Sequence, residues 1–458
     1  MHLAGKHITV VGLGITGLSA AKWLSRHGAV VSVADSRDTP PALADLRALL
    51  PQIPTKLGAF SDSTFTDAEL LVVSPGVPLS NPYIADAIER GVEVMGDIEL
   101  FARAREVIDP KSKVIAITGS NGKSTVTSMV GAMCETAGLN TIVAGNIGTP
   151  VLDVLTEIET EVRPKPDVWV LELSSFQLET TVSLAPDAAA VLNVSEDHLD
   201  RYDSILHYSQ AKARVFEGLG AMVLNREDGY CRGMARPGRQ VFWFGLDTPR
   251  TPTEYGLHKA GNDYELVCGD FVLMLASELP LAGLHNAANA LSALALTRSI
   301  GLPTLPLVSA LKRFKGLPHR VEFVAEVKGV RYYDDSKGTN VGATEAALKG
   351  MNQPVVLIAG GDGKGQDFSP LATACKGKVR SAILIGRDGP QIRAALANTS
   401  VKLIDAGTMD EAVQVAAQEA QAGDAVLMSP ACASFDMFKN YAHRAEMFIS
   451  AVRTLGND

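Results

Sequence analysis

The stretch Val114–Thr125, VIAITGSNGKST, joins a buried-strand pattern to a glycine-rich turn and a helix start. Backbone N–H groups in such a turn converge on a phosphate, and the dipole of the helix adds to the attraction. Lys123 stands where a lysine reaches terminal phosphates, and Ser124 where a hydroxyl holds Mg²⁺. The spacing is Gly119-x-x-Gly122-Lys123-Ser124, shorter than the general P-loop, whose first glycine is replaced here by Ile117. The alternative is a helix entered through a glycine loop with a solvated lysine. The strand before and the helix after favour a site for ATP or GTP whose γ-phosphoryl group is used.

Outward from this turn, strand-like runs alternate with helical patterns along most of the 458 residues. That alternation predicts parallel sheets covered by helices. The expected fold class is α/β in three domains. A Rossmann-like domain spans 1–103, a central P-loop mononucleotide-binding domain 104–316, and a Rossmann-like C-terminal domain 317–458. The first opens with strands at His7–Leu13 and Val30–Asp35 and closes near Phe101–Lys113, where IDPKSK reads as a linker. The second carries strands at Val168–Leu173 and Ala188–Val194, then β-structure at the sheet edge over 242–281, then a helix at Asn286–Ile300. The third follows Phe314–Arg320 with a hairpin over Val321–Tyr333 and strands at Val355–Ala359, Ala382–Ile385 and Ala425–Met428.

Lys and Arg number 42 against 51 Asp and Glu, a net charge of −9 with no basic stripe, which excludes nucleic acid as the main partner. The five cysteines are scattered and none forms CxxC, so neither a zinc site nor a disulfide framework is indicated. A reduced, cytoplasmic setting is expected. The chain enters a strand almost at once, so no leader is expected. No run approaches the ~18–20 apolar residues of a membrane span.

Other turns carry candidate chemistry. Gly12-x-Gly14-x-x-Gly17 follows a strand and opens a helix, and Asp35 ends the next strand. Alone this is a dinucleotide fingerprint, with the acid on ribose hydroxyls, and it would suit an oxidoreductase. Any nucleoside diphosphate could use the same turn. Glu172 ends a strand reading WVLELSS, where a carboxylate can hold a phosphate-bridging metal or merely cap a helix. His198, in EDHLDRY, reads equally as a metal ligand or as a structural histidine. Lys212, in an expected helix over Ser204–Leu219, reads from spacing as a surface lysine. Asp334–Thr339 (DDSKGT) and Gly360–Lys364 (GGDGK) each follow a strand and could grip a carboxylate or phosphate. Ser429–Ser434 (SPACAS) also follows a strand, with Ser434 expected at a helix start.

Taken together, TGSNGKS, LELSSFQL, NVSEDHLDRY, GLHNAANALSALA, GLPHR, DDSKGTN, GGDGKG and SPACASFDMFKN resemble the Mur ligases of bacterial cell-wall synthesis, in order and over nearly the whole chain. The ends, GLGITGLSA with DSRDTPP and SPACASFDMFKNY, look most like the member that adds D-glutamate. The chain departs from the pattern at Ala445 and Gly338, and the spacing from EDH to Lys212 is one residue short.

The resemblance implies an ATP-dependent, ADP-forming amide ligase with Mg²⁺. Its partners would be UDP-N-acetylmuramoyl-L-alanine, D-glutamate and ATP, and its working form a monomer. Gly14, Ile15, Thr16, Gly17, Ser36, Arg37 and Ser74 would hold uridine and diphosphate, and Asn146 the muramoyl part. Gly119, Ser120, Asn121, Gly122, Lys123, Ser124 and Thr125 would bind ATP, with Asn286, Arg320 and Asp335 around its nucleoside and phosphates. Ser124, Glu172, His198 and Lys212 (carboxylated to a carbamate) would be metal ligands, and Lys123, His198 and Lys212 the catalytic set. Lys337 would meet a phosphate beside a D-glutamate site completed by Thr339, Lys364, Ser434, Phe435 and Tyr441.

Overall fold

The computed structural model describes residues 1–281, 283–351 and 353–456. Three sheets follow one another along the chain, as the alternation predicts. The first is wholly parallel, with strands in the order Thr55–Leu57, Val30–Asp35, His7–Val11, Leu70–Val73 and Glu93–Met95. The chain reverses its direction of strand addition beside His7–Val11, and the crevice beyond such a switch is where open α/β sheets bind ligands.

Helix Asp97–Ile108 and a short connection lead to Lys113–Thr118 in the second sheet. The expected cut after residue 103 lies inside this helix, while Asp109–Ser112 make the connection. Lys113–Thr118 pairs in parallel with both Val168–Glu172 and Ala188–Val191, and Thr141–Gly145 forms the near edge. On the far side lie Ala221–Asn225 and Val241–Phe244, then the antiparallel run Tyr255–Ala260, Asp263–Cys268 and Phe271–Leu275. The edge β-structure expected over 242–281 is this run. Strand Lys113–Thr118 is buried beyond its first residue, and Val168–Glu172 throughout, because helices cover both faces. Helix Lys123–Thr136 lies on one side with Leu284–Ser299 packed against it.

The third sheet runs Glu322–Val327, Val330–Asp334, Ala425–Met428, Val355–Gly360, Val379–Ile385 and Lys402–Asp405, with only the first strand antiparallel. Its first two strands are the expected hairpin. No helix among the described residues is long and apolar enough to cross a membrane.

Candidate active site

The turn after Lys113–Thr118 is held open by neighbouring loops. Gly119 and Gly122 have φ of 151° and 85°, and a Cβ at Gly122 would stand 2.6 Å from Asn289 Oδ1. Asn193 clamps the turn: its Oδ1 accepts the Asn121 N–H at 2.8 Å, and its Nδ2 donates to the Asn121 carbonyl at 3.0 Å. The buried Ser120 hydroxyl donates to the Ser195 carbonyl at 3.1 Å. Lys123 folds back, its Nζ donating to the carbonyls of Gly119 and Ser120 at 2.8 and 2.9 Å. It is therefore not a solvated lysine. Burial lowers its pKa, against the pull of Glu172 and Asp197.

Glu172 is 1% exposed at the end of its strand. Its Oε1 accepts from Asn146 Nδ2 at 2.8 Å, and its Oε2 is buried with no partner among the described residues. It is no helix cap, since Ser174 caps Ser175–Glu179.

Lys212 overturns the surface reading: it is 1% exposed. Its helix, Ile205–Ala213, stops well short of Leu219 and passes into a 3₁₀ turn at Arg214–Phe216. The Lys212 ammonium points at the phosphate loop, donating to the Gly119 carbonyl at 2.9 Å and lying 4.3 Å from the Tyr208 ring centroid. Burial first, and the Lys123 charge second, hold its pKa well below that of a free lysine. His198, at φ 57°, has its Nε2 3.6 Å from Asp197 Oδ2 and its ring 4.7 Å from that of Phe176. Burial pushes its pKa down to about 4, so the imidazole is neutral and can act as a ligand. An orphaned carboxylate oxygen, a hydroxyl and a neutral imidazole around the phosphate turn suit a hard divalent cation.

Two clefts flank this centre. One of about 370 Å³ lies between the second and third sheets and is lined by Asn121, Gly122, Thr125, Asn286, Arg320 and Asp335. Asn193, Asn225, His285 and Asn289 line it too and were not singled out from sequence. Asn289 had a signal: it follows Asn286 by one helical turn in HNAANA and donates to its Oδ1 at 3.3 Å.

The other cleft, of about 630 Å³, lies at the first sheet's switch point and is lined by Gly14, Ile15, Thr16, Ser36, Arg37 and Ser74, with Asn146 from the second domain. Gly17 is not in its lining. A Cβ there would fall 2.0 Å from the Gly12 carbonyl, so this glycine packs helix against turn. The dinucleotide reading of Asp35 also fails. Its Oδ2 accepts from the Leu13 N–H and from Arg37 Nη2, both at 2.7 Å, and its Oδ1 from the Arg37 N–H and Nε at 2.9 and 2.8 Å. No oxygen is left for ribose hydroxyls.

The third domain reaches across the smaller of the two clefts. Arg320 Nη2 donates to Ser124 Oγ at 3.3 Å, while Arg320 Nε is buried without a partner among the described residues. Lys364 Nζ lies 2.5 Å from Asp197 Oδ1. Asp335 is buried, bonded by Ser429 Oγ at 2.7 Å, and burial raises its pKa to about 7. Lys337 sits 5.2 Å from the Tyr441 ring centroid, and burial beside Arg320 lowers its pKa to about 8. Thr339 is half-buried in the same loop. Ser434 is buried but starts a turn, since the helix begins at Tyr441 under an Asn440 cap. Phe435 beside it is 74% exposed.

Three family models match in chain order. They are described as Mur ligase MurD-like, N-terminal domain (residues 6–96), Mur ligase middle domain (117–297) and Mur ligase, glutamate ligase domain (319–432). The chain belongs to the Mur ligase family. Full-length relatives agree. The UDP-N-acetylmuramoylalanine–D-glutamate ligase of Thiobacillus denitrificans is 56% identical over 99% of this chain and 98% of its own length. That of Chromobacterium violaceum is 57% identical over the same shares. Among solved structures, a UDP-N-acetylmuramate-alanine ligase from Thermotoga maritima superposes with TM-score 0.61 at 19% identity, covering 98% of this chain and 99% of that one. A MurF from Acinetobacter baumannii gives 0.63 at 16%, covering 100% and 92%. At those identities the likeness is one of fold. This Mur ligase thus has the three-part α/β architecture that its sequence predicts.

Proposed function

We propose that this Mur ligase uses ATP to join D-glutamate to UDP-N-acetylmuramoyl-L-alanine, a step of peptidoglycan precursor synthesis. The observation that carries the reading is the bond from Asn146 to Glu172. Asn146 lines the larger cleft, and Glu172 faces Lys123 at the phosphate turn. A UDP-linked substrate in the first domain would therefore present its far end to the terminal phosphate of ATP in the second. The identity of the full-length D-glutamate-adding relatives supports the choice of amino acid.

A carboxylate is a poor acyl donor because its leaving group would be an oxide. The alanyl carboxylate attacks the γ-phosphorus, the bond to the β–γ bridging oxygen breaks, and ADP and an acyl phosphate result. Lys123 leaves its two loop carbonyls for the phosphate oxygens, whose mutual repulsion is the main obstacle in phosphoryl transfer. Ser124, Glu172, His198 and carboxylated Lys212 would hold Mg²⁺, which would supply further neutralisation of those oxygens. Lys212 is suited to carboxylation because burial and the Lys123 charge make its amine less basic than that of a free lysine. Asn286, Asp335 and Arg320 serve the nucleotide from the opposite wall.

Lys337, Thr339, Lys364, Ser434, Phe435 and Tyr441 surround D-glutamate on the third domain. Its amine attacks the acyl carbon, a tetrahedral intermediate collapses, and phosphate leaves as the amide forms. Contact between the domains at Arg320, Lys364 and Asn340 shields the acyl phosphate from water. We take the working unit to be a cytoplasmic monomer.

The test is ADP formation with UDP-N-acetylmuramoyl-L-alanine, with D-glutamate present and absent, and with L-alanine, L-lysine or L-glutamate in its place. Product is expected only with D-glutamate. A folded protein that releases no phosphate with ATP, Mg²⁺ and both substrates would overturn the reading.

A further inference from the structure

Arg201 stands three residues after His198, and its side chain is 12% exposed. It leaves its own domain. Nη1 donates to the Pro75 carbonyl at 2.8 Å and Nη2 to the Val77 carbonyl at 3.3 Å. Those carbonyls belong to the loop Ser74–Val77, which lines the larger cleft. The same loop grips the glycine turn opposite, since Ser74 Oγ donates to the Gly12 carbonyl at 2.7 Å. Nη2 also bonds Glu179 Oε2 at 2.6 Å, and Glu179 Oε1 accepts from the Tyr202 hydroxyl at 2.6 Å.

The other end of this strap is the His198 segment. The N–H groups of Arg201 and Tyr202 both donate to the His198 carbonyl, at 3.0 and 3.1 Å. The guanidinium lies 4.3 Å from the Phe176 ring centroid, and that ring meets the His198 imidazole edge to face at 4.7 Å. His198 itself is held at φ 57°, a conformation that a non-glycine residue keeps only when its surroundings impose it. One planar cation thus binds two carbonyls of the cleft loop, a carboxylate and an aromatic face, and the last of these carries the imidazole.

We propose that Arg201 is a positioning residue that couples occupancy of the UDP-sugar cleft to the placement of His198 at the nucleotide centre. A substrate that orders Ser74–Val77 fixes the Arg201 fork, and the fork fixes the loop that presents His198. By linkage, a nucleotide that settles the His198 loop tightens the cleft in return, by the same factor. Coupling between sites is commonly about 5- to 150-fold. Lysine cannot replace arginine here, because a single ammonium does not span two carbonyls and a carboxylate in one plane. The inference rests on the function proposed above.

The experiment is calorimetric titration of UDP-N-acetylmuramoyl-L-alanine into the full-length protein, alone and with Mg²⁺ and a non-hydrolysable ATP analogue. The same titrations are made on Arg201→Met and Arg201→Lys. The wild type is expected to bind the UDP-sugar at least about fivefold more tightly when the nucleotide is present. In both variants that ratio is expected to fall towards one. A merely structural role would weaken each ligand alone or lower the melting temperature, and would leave the ratio standing. A ratio kept in both folded variants, or no coupling in the wild type, overturns the inference while the proposed function survives. A wild type that binds no UDP-sugar removes both.

Discussion

Lys364 Nζ and Asp197 Oδ1 meet at 2.5 Å across the gap between the third and second sheets. Asn340 Nδ2, also from the third domain, takes the other Asp197 oxygen at 3.1 Å. Burial alone would raise this carboxyl's pKa, but Lys364 and His198 outweigh it and push it down to about 2. Asp197 is therefore a point at which the last domain latches onto the central one.

Removing the latch should let the third domain move away. Asp197→Ala leaves Lys364 without its anion and Asn340 without its acceptor. In small-angle scattering without nucleotide, the variant is expected to show a larger radius of gyration than the wild type. Its affinity for ATP should fall less than its turnover, because closure is what shields the acyl phosphate. Identical dimensions for the two proteins would show that Asp197 does not hold the domains together.

Among the described residues, the Lys123 ammonium bonds only the Gly119 and Ser120 carbonyls. Lys123→Ala should therefore fold normally and fail in chemistry. Removing one donor aimed at charge that develops in the transition state costs roughly 10²–10³-fold in turnover. Phosphate release under saturating substrates is the measurement, and a loss of less than about tenfold would contradict the role given to this lysine.

The strand, glycine turn and helix at Lys113–Thr136 were legible because their signal is local. Gly119, Gly122 and Lys123 lie within one turn, and the strand and helix beside them follow from hydrophobic pattern. The β-structure at the sheet edge over 242–281 was legible for the same reason. Lys212 was not, because burial of a lysine is decided by where its helix ends and what packs over it. The short helix Ile205–Ala213 brings it beneath Gly119, a residue 93 positions away. Asp35 misled for a related reason: the fingerprint gives a carboxylate at the strand end, and only the structure shows Arg37 and Leu13 taking both oxygens. Ser434 was placed at a helix start because a polar residue after a strand commonly caps one, whereas the chain makes a turn first and Asn440 does the capping.

Lys212 offers a direct test of its chemistry. Its amine is buried, desolvated and pressed against the Lys123 charge, so it is far less basic than a surface lysine. A neutral amine adds to CO₂ and loses a proton to give a carbamate. Protein equilibrated with ¹³C-bicarbonate is expected to show a carbamate carbonyl resonance by NMR that is absent from Lys212→Arg. The same substitution should abolish activity, because a guanidinium cannot be carboxylated. A wild-type spectrum with no such resonance would leave Lys212 as an unmodified buried lysine and its place among the metal ligands without support.

Asp97 carries a pH dependence of stability. It begins the helix Asp97–Ile108 at 5% exposure, with Oδ2 3.4 Å from Gln177 Nε2 and Oδ1 buried without a partner among the described residues. Burial pushes its pKa up to about 6, and Gln177 and the local backbone offset only part of that. In the unfolded chain an aspartate releases its proton at about pH 4. Between those values the folded state holds a proton that the unfolded state has lost, so stability falls as pH rises through the window. A shift of about two units is worth about 3 kcal/mol. Asp97→Asn is neutral at every pH and escapes this fall. Without ligand, its melting temperature is expected to gain on the wild type as pH climbs from about 4 to about 6, and to hold a constant lead above that. Melting curves for the two proteins that run parallel across this range would show that the Asp97 carboxyl is not destabilised by its burial.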